Sequence, residues 1–345
     1  MNQPIRISFK GLSETPLHFI SRYKGGSVGR YRRYPSMNFS RVGVGWGNKK
    51  IVNPNKGDVN PVFSSKREAE NLLGELDVYT SNLNEFELMA KLQVFREISV
   101  DDYLNHVKEQ ALDWNNDLKE LILGAIEEIS NHLDLHPMPL PKDVHFVLTT
   151  GLDEGFAAYT RGSAIFLNER IIRNSRNLAR LIAHELVHVA TRNNGKWKDN
   201  LYSQIGFFPC ESPSFTSEFQ KYVFSNPDAP RIEHAIEVTY NGVKQKVAPI
   251  IYTSQENYFG GNFFEYIEVG LFLLDGENAT DYHMYPEEIR IIDFDDCQEF
   301  FENVGYNTDY LFHAEEILAD NIADIYTNRL DYESPAIIRK ILQIL

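Results

Sequence analysis

The stretch LIAHELVHVATRNNG, residues 181–195, carries the motif His-Glu-x-x-His. Residues four apart on a helix lie on one face, because four steps of about 100° leave them roughly 40° apart. His184 and His188 therefore project side by side and can bind one ion. Glu185 lies one step around the helix, where its carboxylate can take a proton from water on that ion. Two imidazoles with an adjacent acid favour a zinc site.

The surrounding sequence argues against the alternative of a helix that merely carries two structural histidines. The helix is expected to follow the NSRN turn, with Asn174 or Ser175 as its N-cap, and to end at the Asn-Asn-Gly of residues 193–195. It carries an apolar stripe at Leu178, Leu181, Ile182 and Val189. Three strand-like segments precede it: VHFVLTT (144–150), GFAAYTRG (155–162) and SAIFLNE (163–169).

Periodicity predicts the remaining elements. Apolar residues recur at helical spacing from Lys66 to about Phe95, and a second helical stretch is expected from Asp101 to about Leu133. After the motif helix the sequence is mixed. It contains a hairpin with an Asn-Gly turn at residues 235–247, strand-like sequence at 263–274, and a last helix from about Phe312 to about Leu330.

Charge is unevenly distributed along the 345 residues. The net charge of −15 argues against a general affinity for nucleic acid or an anionic membrane. Residues 1–60 nevertheless hold 11 Lys+Arg against Glu14 and Asp58. Within them, GVGWG lacks the full G-x-G-x-x-G spacing of a nucleotide loop. Interleaved Arg and Tyr would suit a nucleic-acid arm, but a β/loop lead-in or a mobile surface segment is favoured.

Cysteine content and hydropathy bear on the compartment. Only Cys210 and Cys297 are present, which favours a reducing compartment. The N-terminus lacks an apolar core of signal-peptide length, and no segment approaches the roughly 18 apolar residues that span a bilayer. The protein is expected in the cytoplasm, or exported without a cleavable signal peptide, and without a membrane partner.

The residues directly after His188 supply no third metal ligand. A metzincin would have Gly three and His six residues later, where this chain has Thr191 and Asn194. Farther along, HAEEILADNIADIY (313–326) contains Glu316 and Asp320 in the pattern Glu-x-x-x-Asp. The same segment has a helical apolar face formed by Ile317, Leu318, Ile322 and Ile325.

Together, the two motifs resemble the gluzincin clan of zinc metallopeptidases. The stretch GYNTDYLFHAEEILADN also resembles a group of bacterial zincin-like proteins of largely unassigned role, in which Pro often stands where Ala314 is here. The resemblance covers about residues 115–330. It implies an α+β, zincin-like catalytic domain with a small mixed sheet and an active-site helix. It also implies Glu316 as the third zinc ligand and Asp320 as the residue that orients a zinc-bound histidine.

Two alternatives for the third ligand are weaker. Glu277 with Asp281 has the same spacing, but DGENATDYH is turn-like and has no helical period. Glu315 is followed four residues later by Ala319, so a partner on its own turn is lacking. His313 shares the face of Glu316, and three roles are open to it: substitute ligand, transition-state donor or helix-start residue.

The resemblance implies a zinc-dependent peptidase that acts on a peptide or protein substrate. Glu185 would be the general base. Tyr310 is the candidate for oxyanion stabilisation, ahead of Tyr306 and Tyr258. The alternative is a non-catalytic zinc-binding protein with a structural or sensing role, against which Glu185 argues. Residues 1–65 are expected to be a Gly/basic-rich segment, 66–112 a helical region, and 113–345 the catalytic domain with a long mixed insert at 196–312.

Overall fold

A computed structural model describes residues 59–213, 215, 217–274 and 291–345. The fold mixes helices and sheets, which confirms the predicted α+β class. Two parts of the sequence interpretation lie outside the described residues, namely the basic segment up to residue 58 and the pair Glu277 and Asp281. In the described part, no helix combines the length and apolarity needed to cross a bilayer.

The described helices are α1 (Lys66–Leu73), α2 (Val78–Asn82), α3 (Glu85–Leu92), α4 (Val100–Lys108), α5 (Asn116–Leu135), α6 (Glu169–Asn174), α7 (Leu178–Asn193), α8 (Gly195–Gln204), α9 (Ser217–Gln220), α10 (Gln298–Val304), α11 (Ala314–Tyr326) and α12 (Pro335–Ile341). The described strands are β1 (Pro61–Phe63), β2 (Ala111–Leu112), β3 (Val144–Thr149), β4 (Tyr159–Arg161), β5 (Ala164–Asn168), β6 (Phe207–Pro209), β7 (His234–Tyr240), β8 (Val243–Tyr252), β9 (Glu268–Leu274) and β10 (Ile291–Ile292).

Strands β1 to β5 form a small mixed sheet. The central strand β3 has β5 parallel to it on one side, and β1 and β2 along the other. Strand β4 is antiparallel to β5 and forms the outer edge, with Thr160 opposite Ile165. The strand predicted at residues 155–162 is present but shorter, as β4, because residues 151–156 form a turn.

Alternate residues of β3 and β5 face two different cores, because side chains alternate across a strand. One set packs with α5, α7 and α11: Phe146, Leu148, Ile165 and Leu167. The other set packs with α1 and α4: Val147, Ala164 and Phe166. The sheet is thus covered on both faces, and α7 lies on the face of the larger core.

The helical stretch predicted from Asp101 to about Leu133 is present as two helices with a short strand between them. Helix α4 ends at Lys108, and Ala111 and Leu112 then form β2, which pairs with the end of β3. Helix α5 begins afresh behind the N-cap Asn115, whose side chain accepts the backbone N–H of Leu118 at 2.9 Å. The predicted apolar stripe from Leu118 to Ile129 lies on α5, and the pairing of β2 and the Asn115 cap separate this helix from α4.

The motif helix α7 also begins later than expected. Its N-cap is Asn177, whose side chain accepts the backbone N–H of Arg180 at 2.9 Å, rather than Asn174 or Ser175. Residues Glu169–Asn174, part of which was assigned to a strand and a turn, form the short helix α6. The predicted end of α7 at residue 193 agrees with the structure, and α8 follows at once.

The insert between α7 and α11 contains a second, antiparallel sheet of strands β6 to β10. The predicted hairpin at residues 235–247 is present as β7 and β8. Its turn residues Asn241 and Gly242 have φ of 50° and 78°. Positive φ at both positions is what a two-residue hairpin turn of type I′ needs. The insert returns the chain to α11, which packs against α7.

Candidate metal centre

Helices α7 and α11 bring His184, His188 and Glu316 together in the protein interior, with 3%, 0% and 1% of their surface exposed. Glu316 Oε2 lies 3.2 Å from His184 Nε2 and 3.5 Å from His188 Nε2. Ligand atoms about 2.0–2.1 Å from a tetrahedral ion are about 3.3 Å apart. The three atoms are therefore spaced as the ligands of one metal ion would be.

Asp320 lies one turn after Glu316 and contacts His184 from the other side of the ring. Its Oδ1 is 3.0 Å from His184 Nδ1. Thr308 donates a hydrogen bond of 2.5 Å to Oδ2, and Arg180 is 3.1 Å away. Burial opposes ionisation, but Arg180 and His184 outweigh it and hold the pKa of Asp320 well below its ordinary value. An ionised Asp320 fixes the ring so that Nε2 faces the metal position.

Glu315 has the corresponding contact with His188. Its Oε1 lies 2.9 Å from His188 Nδ1, on the side of the ring opposite Glu316. Thr191 donates to the same oxygen at 2.5 Å, and the hydroxyl of Tyr202 donates to the second oxygen. The sequence interpretation treated Glu315 only as a substitute ligand. The structure instead gives it a partner on α7, so each histidine is held by its own carboxylate.

Glu185 is buried beside this cluster, with 2% of its surface exposed. The hydroxyl of Thr160, on the edge strand β4, donates to its Oε2 at 2.7 Å. Ligand atoms of Glu185, His188 and Asp228 all lie within 4.8 Å of one another. The carboxylate of Glu185 thus adjoins the metal position and is oriented by the sheet.

The donor set fits a divalent cation on two grounds. First, His188 Nε2 is buried and has no hydrogen-bond partner among the residues that the structure describes. Second, several buried carboxylates surround the two imidazoles, and buried charges are stable only when they are compensated. Burial alone would lower the pKa of His184, yet Asp320 and Glu316 raise it to about 9. In the metal-free protein the carboxylates thus draw protons onto the imidazoles, where a metal ion would supply the positive charge.

Of the three candidate tyrosines, the structure brings Tyr310 to the cluster. Its ring centroid is 6.0 Å from that of His184. Burial, with Glu316 and Asp228 nearby, raises the pKa of Tyr310 well above its ordinary value, so its hydroxyl keeps its proton. The hydroxyl of Tyr258 donates to the Gly261 carbonyl instead. Tyr306 is exposed, and its hydroxyl accepts a hydrogen bond from Gln298.

His313 is the N-cap of α11. Of the three roles that the sequence left open, this position agrees with that of a helix-start residue. Its Nδ1 accepts the backbone N–H of Glu315 at 3.0 Å. Burial lowers the pKa of His313 to about 4, so the ring is neutral and its proton lies on Nε2. The ligand atoms that converge on one point come from His184, His188 and Glu316, and His313 is not among them.

Sequence reasoning missed two residues that reach the cluster from the insert. Asn226 donates a hydrogen bond of 2.7 Å to Glu316 Oε1. Asp228 Oδ1 lies 3.9 Å from His188 Nε2, and burial raises the pKa of Asp228 to about 8. Both belong to the sequence Asn-Pro-Asp-Ala-Pro, which marks a loop but does not indicate where that loop lies.

Comparison with known protein families found one local match. Residues 153–196 match the family model described as the eCIS core domain, where eCIS stands for extracellular contractile injection system. The matched stretch runs from the turn before β4 to the first residues of α8 and includes His184, Glu185 and His188. Searches of curated proteins and of solved structures gave no match.

Proposed function

We propose that this chain is a zinc-dependent metallopeptidase of the gluzincin type. The observation that carries the proposal is the convergence of His184 Nε2, His188 Nε2 and Glu316 Oε2, with separations of 3.2 and 3.5 Å from the carboxylate oxygen. The neighbouring Glu185 supports a catalytic role, because a purely structural site has no use for a buried acid beside the first histidine. Two imidazoles and a carboxylate are a typical ligand set of catalytic zinc.

A bound zinc ion would polarise the peptide carbonyl and lower the pKa of water. The remaining work belongs to side chains of this chain. Glu185 takes the proton of the attacking water and passes it to the leaving amine. Thr160, which donates to Glu185 Oε2 at 2.7 Å, holds that carboxylate in place. Asp320 and Glu315 fix the two rings through their Nδ1 atoms, which leaves both Nε2 atoms facing the metal position.

Tyr310 is proposed to stabilise the oxyanion. A donor for this role must stay protonated while negative charge develops on the carbonyl oxygen. Burial and the surrounding carboxylates raise the pKa of Tyr310 well above its ordinary value, which meets this condition. Its ring centroid lies 6.0 Å from that of His184, which supports a role for Tyr310 at this cluster.

The family match favours a setting for this activity. We propose that the chain works together with an extracellular contractile injection system, because residues 153–196 match the eCIS core domain. The match includes the His-Glu-x-x-His motif of α7 but not Glu316. It therefore supports the association with an injection system, whereas the proposal of Glu316 as third ligand rests on the distances between the side chains. Copurification of the chain with intact contractile particles from its native cells tests this setting, and its absence from purified particles contradicts it.

The catalytic proposal is tested by the variant Glu185→Gln. Glutamine keeps the shape of the side chain but cannot accept a proton, so zinc should stay bound while turnover falls by about a hundredfold or more. Wild type and variant are incubated with a proteome-derived peptide library, and new termini are counted by mass spectrometry. Zinc content is measured on the same samples by elemental analysis.

The control for this variant is Glu169→Gln, at an exposed position on α6 where Glu169 pairs with Arg173. It should cleave as the wild type does. Equal cleavage by wild type and Glu185→Gln would show that Glu185 is not the base. No cleavage by any zinc-loaded protein would favour the non-catalytic zinc-binding alternative.

A further inference from the structure

Residues 225–230 form a loop, here called the strap, that contacts both helices of the candidate metal centre. Asn226 donates to Glu316 Oε1 at 2.7 Å. Arg192, near the end of α7, donates to the Pro227 carbonyl at 2.7 Å. Two consecutive residues of the strap are thus bonded to the two helices that supply the metal ligands.

Asp228, the next residue of the strap, occupies the edge of the small sheet. Strand β4 is an outer strand, and the backbone N–H of Thr160 donates to Asp228 Oδ1 at 2.7 Å. Free N–H groups of an edge strand are where an extended peptide adds to a sheet. Thr160 also orients Glu185 through its hydroxyl, so this edge adjoins the proposed catalytic base. The strap therefore takes a hydrogen-bond donor that a peptide substrate would use.

The same residue also lies beside His188 and Glu185, within 4.8 Å of a ligand atom of each. Asp228 Oδ1 lies 3.9 Å from His188 Nε2, a buried nitrogen for which the described part of the chain supplies no hydrogen-bond partner. This separation is about 0.6 Å longer than the ligand spacing of a tetrahedral zinc site. Three protein ligands leave one position of such a site free, and a carboxylate is a normal occupant.

We propose that Asp228 is a fourth protein ligand of the metal, and that the strap closes the centre until it is displaced. The inference rests on the proposed function, because it concerns the regulation of that same site. It adds that Asp228 lowers the activity of the resting protein without abolishing it, since a peptide must compete with Asp228 both for the metal and for the Thr160 N–H.

The strap is anchored at both ends by the N-terminal helices. The backbone N–H of Ser225 donates to Glu87 Oε1 at 2.7 Å. At the other end, Asn82 donates to the Pro230 carbonyl at 3.0 Å. Helix α3 and the end of α2 thus hold the closed position. Whatever opens the centre must break contacts to these helices as well as the bond from Thr160.

The test compares the full-length wild type with Asp228→Asn and Asp228→Ala. Asparagine can still accept the Thr160 N–H, so it removes the charged ligand while keeping the strap in place. Each protein is loaded with Co²⁺ in place of zinc, and its visible absorption spectrum is recorded. Acetohydroxamate, a small metal-binding probe, is then titrated into each sample. Zinc affinity is measured by competition with a chelator.

Both variants should show a changed Co²⁺ spectrum and bind zinc about tenfold more weakly or worse, because one ligand is lost. Acetohydroxamate should bind them about tenfold more tightly, because its position is no longer occupied. The control is Asp199→Asn, which makes the same chemical change where Asp199 Oδ1 lies 2.9 Å from His234 Nε2. It should leave all three readouts at the wild-type values.

An unchanged spectrum and unchanged acetohydroxamate affinity in Asp228→Asn would overturn the inference. Its failure is distinguishable from that of the proposed function. If the spectra change as expected but no protein cleaves peptides, Asp228 remains a ligand and the peptidase proposal falls. If the wild type cleaves peptides and its spectrum matches that of Asp228→Asn, the peptidase proposal stands and the strap does not close the site.

Discussion

Glu315 and Glu316 are neighbours in the sequence, yet their carboxylates contact different atoms of the proposed metal centre. Glu316 Oε2 faces both Nε2 atoms, and Glu315 Oε1 faces His188 Nδ1. The spacing to Asp320 was enough to favour Glu316 as the ligand. The role of Glu315 could not be read from the sequence, because it depends on Thr191 and Tyr202, which the fold brings in from α7 and α8.

Replacement of Glu315 by Gln tests this division of roles. The amide can no longer hold the His188 ring with a negative charge, so zinc affinity should fall by about 10–100-fold. Glu316→Gln removes a ligand and should weaken zinc binding further. Affinities are measured by competition with a chelator, and Glu302→Gln, an exposed change on α10, is the control. Full zinc retention in Glu316→Gln with loss in Glu315→Gln would reverse the assignment.

For the helices, the hydrophobic pattern of the sequence predicted where each helix lies. The residue at which a helix begins depends on which capping residue is used. The stripe on α7 predicted a buried helix, and twelve of its residues are buried. Its start was misplaced because Asn174, Ser175 and Asn177 are all competent caps, and only the structure shows that Asn177 is used. The break between α4 and α5 was missed for a similar reason, because β2 is only two residues long. Residues 111–112 form a strand because they pair with β3, and β3 is more than 30 residues farther along the chain.

Helix α11 has a histidine as its cap, and this makes its stability depend on pH. Burial lowers the pKa of His313 to about 4, below its ordinary value in the unfolded chain. The folded state therefore prefers the neutral ring, and its contribution is fully present above about pH 6.5 and is lost as the pH falls towards 4. His313→Asn keeps an N-cap acceptor but removes the titrating group.

From pH 7 to pH 4, wild type should lose on the order of 3 kcal/mol more free energy of unfolding than His313→Asn. The measurement is urea unfolding at several pH values on metal-free samples, because acid also releases metal from the ligands. Equal loss of stability in the two proteins would show that His313 is not held neutral by burial.

In the whole molecule, the proposed metal centre is assembled from parts that are far apart in sequence. Glu316 comes 128 residues after His188, and the intervening insert folds into its own antiparallel sheet. The resemblance of the motifs anticipated that the ends of this insert return to one another. It did not anticipate that the insert also sends Asn226 and Asp228 back over the centre. The position of such a loop cannot be predicted from hydrophobic periodicity, because a loop has no repeating pattern of apolar residues.

The most direct test of the central claim is X-ray diffraction from crystals grown with zinc, with anomalous data collected on both sides of the zinc absorption edge. We expect one strong anomalous peak, bonded to His184 Nε2, His188 Nε2 and a carboxylate oxygen of Glu316 at about 2.0–2.2 Å. A zinc-saturated crystal with no peak between α7 and α11, or with the peak bonded to Glu315 in place of Glu316, would contradict the account.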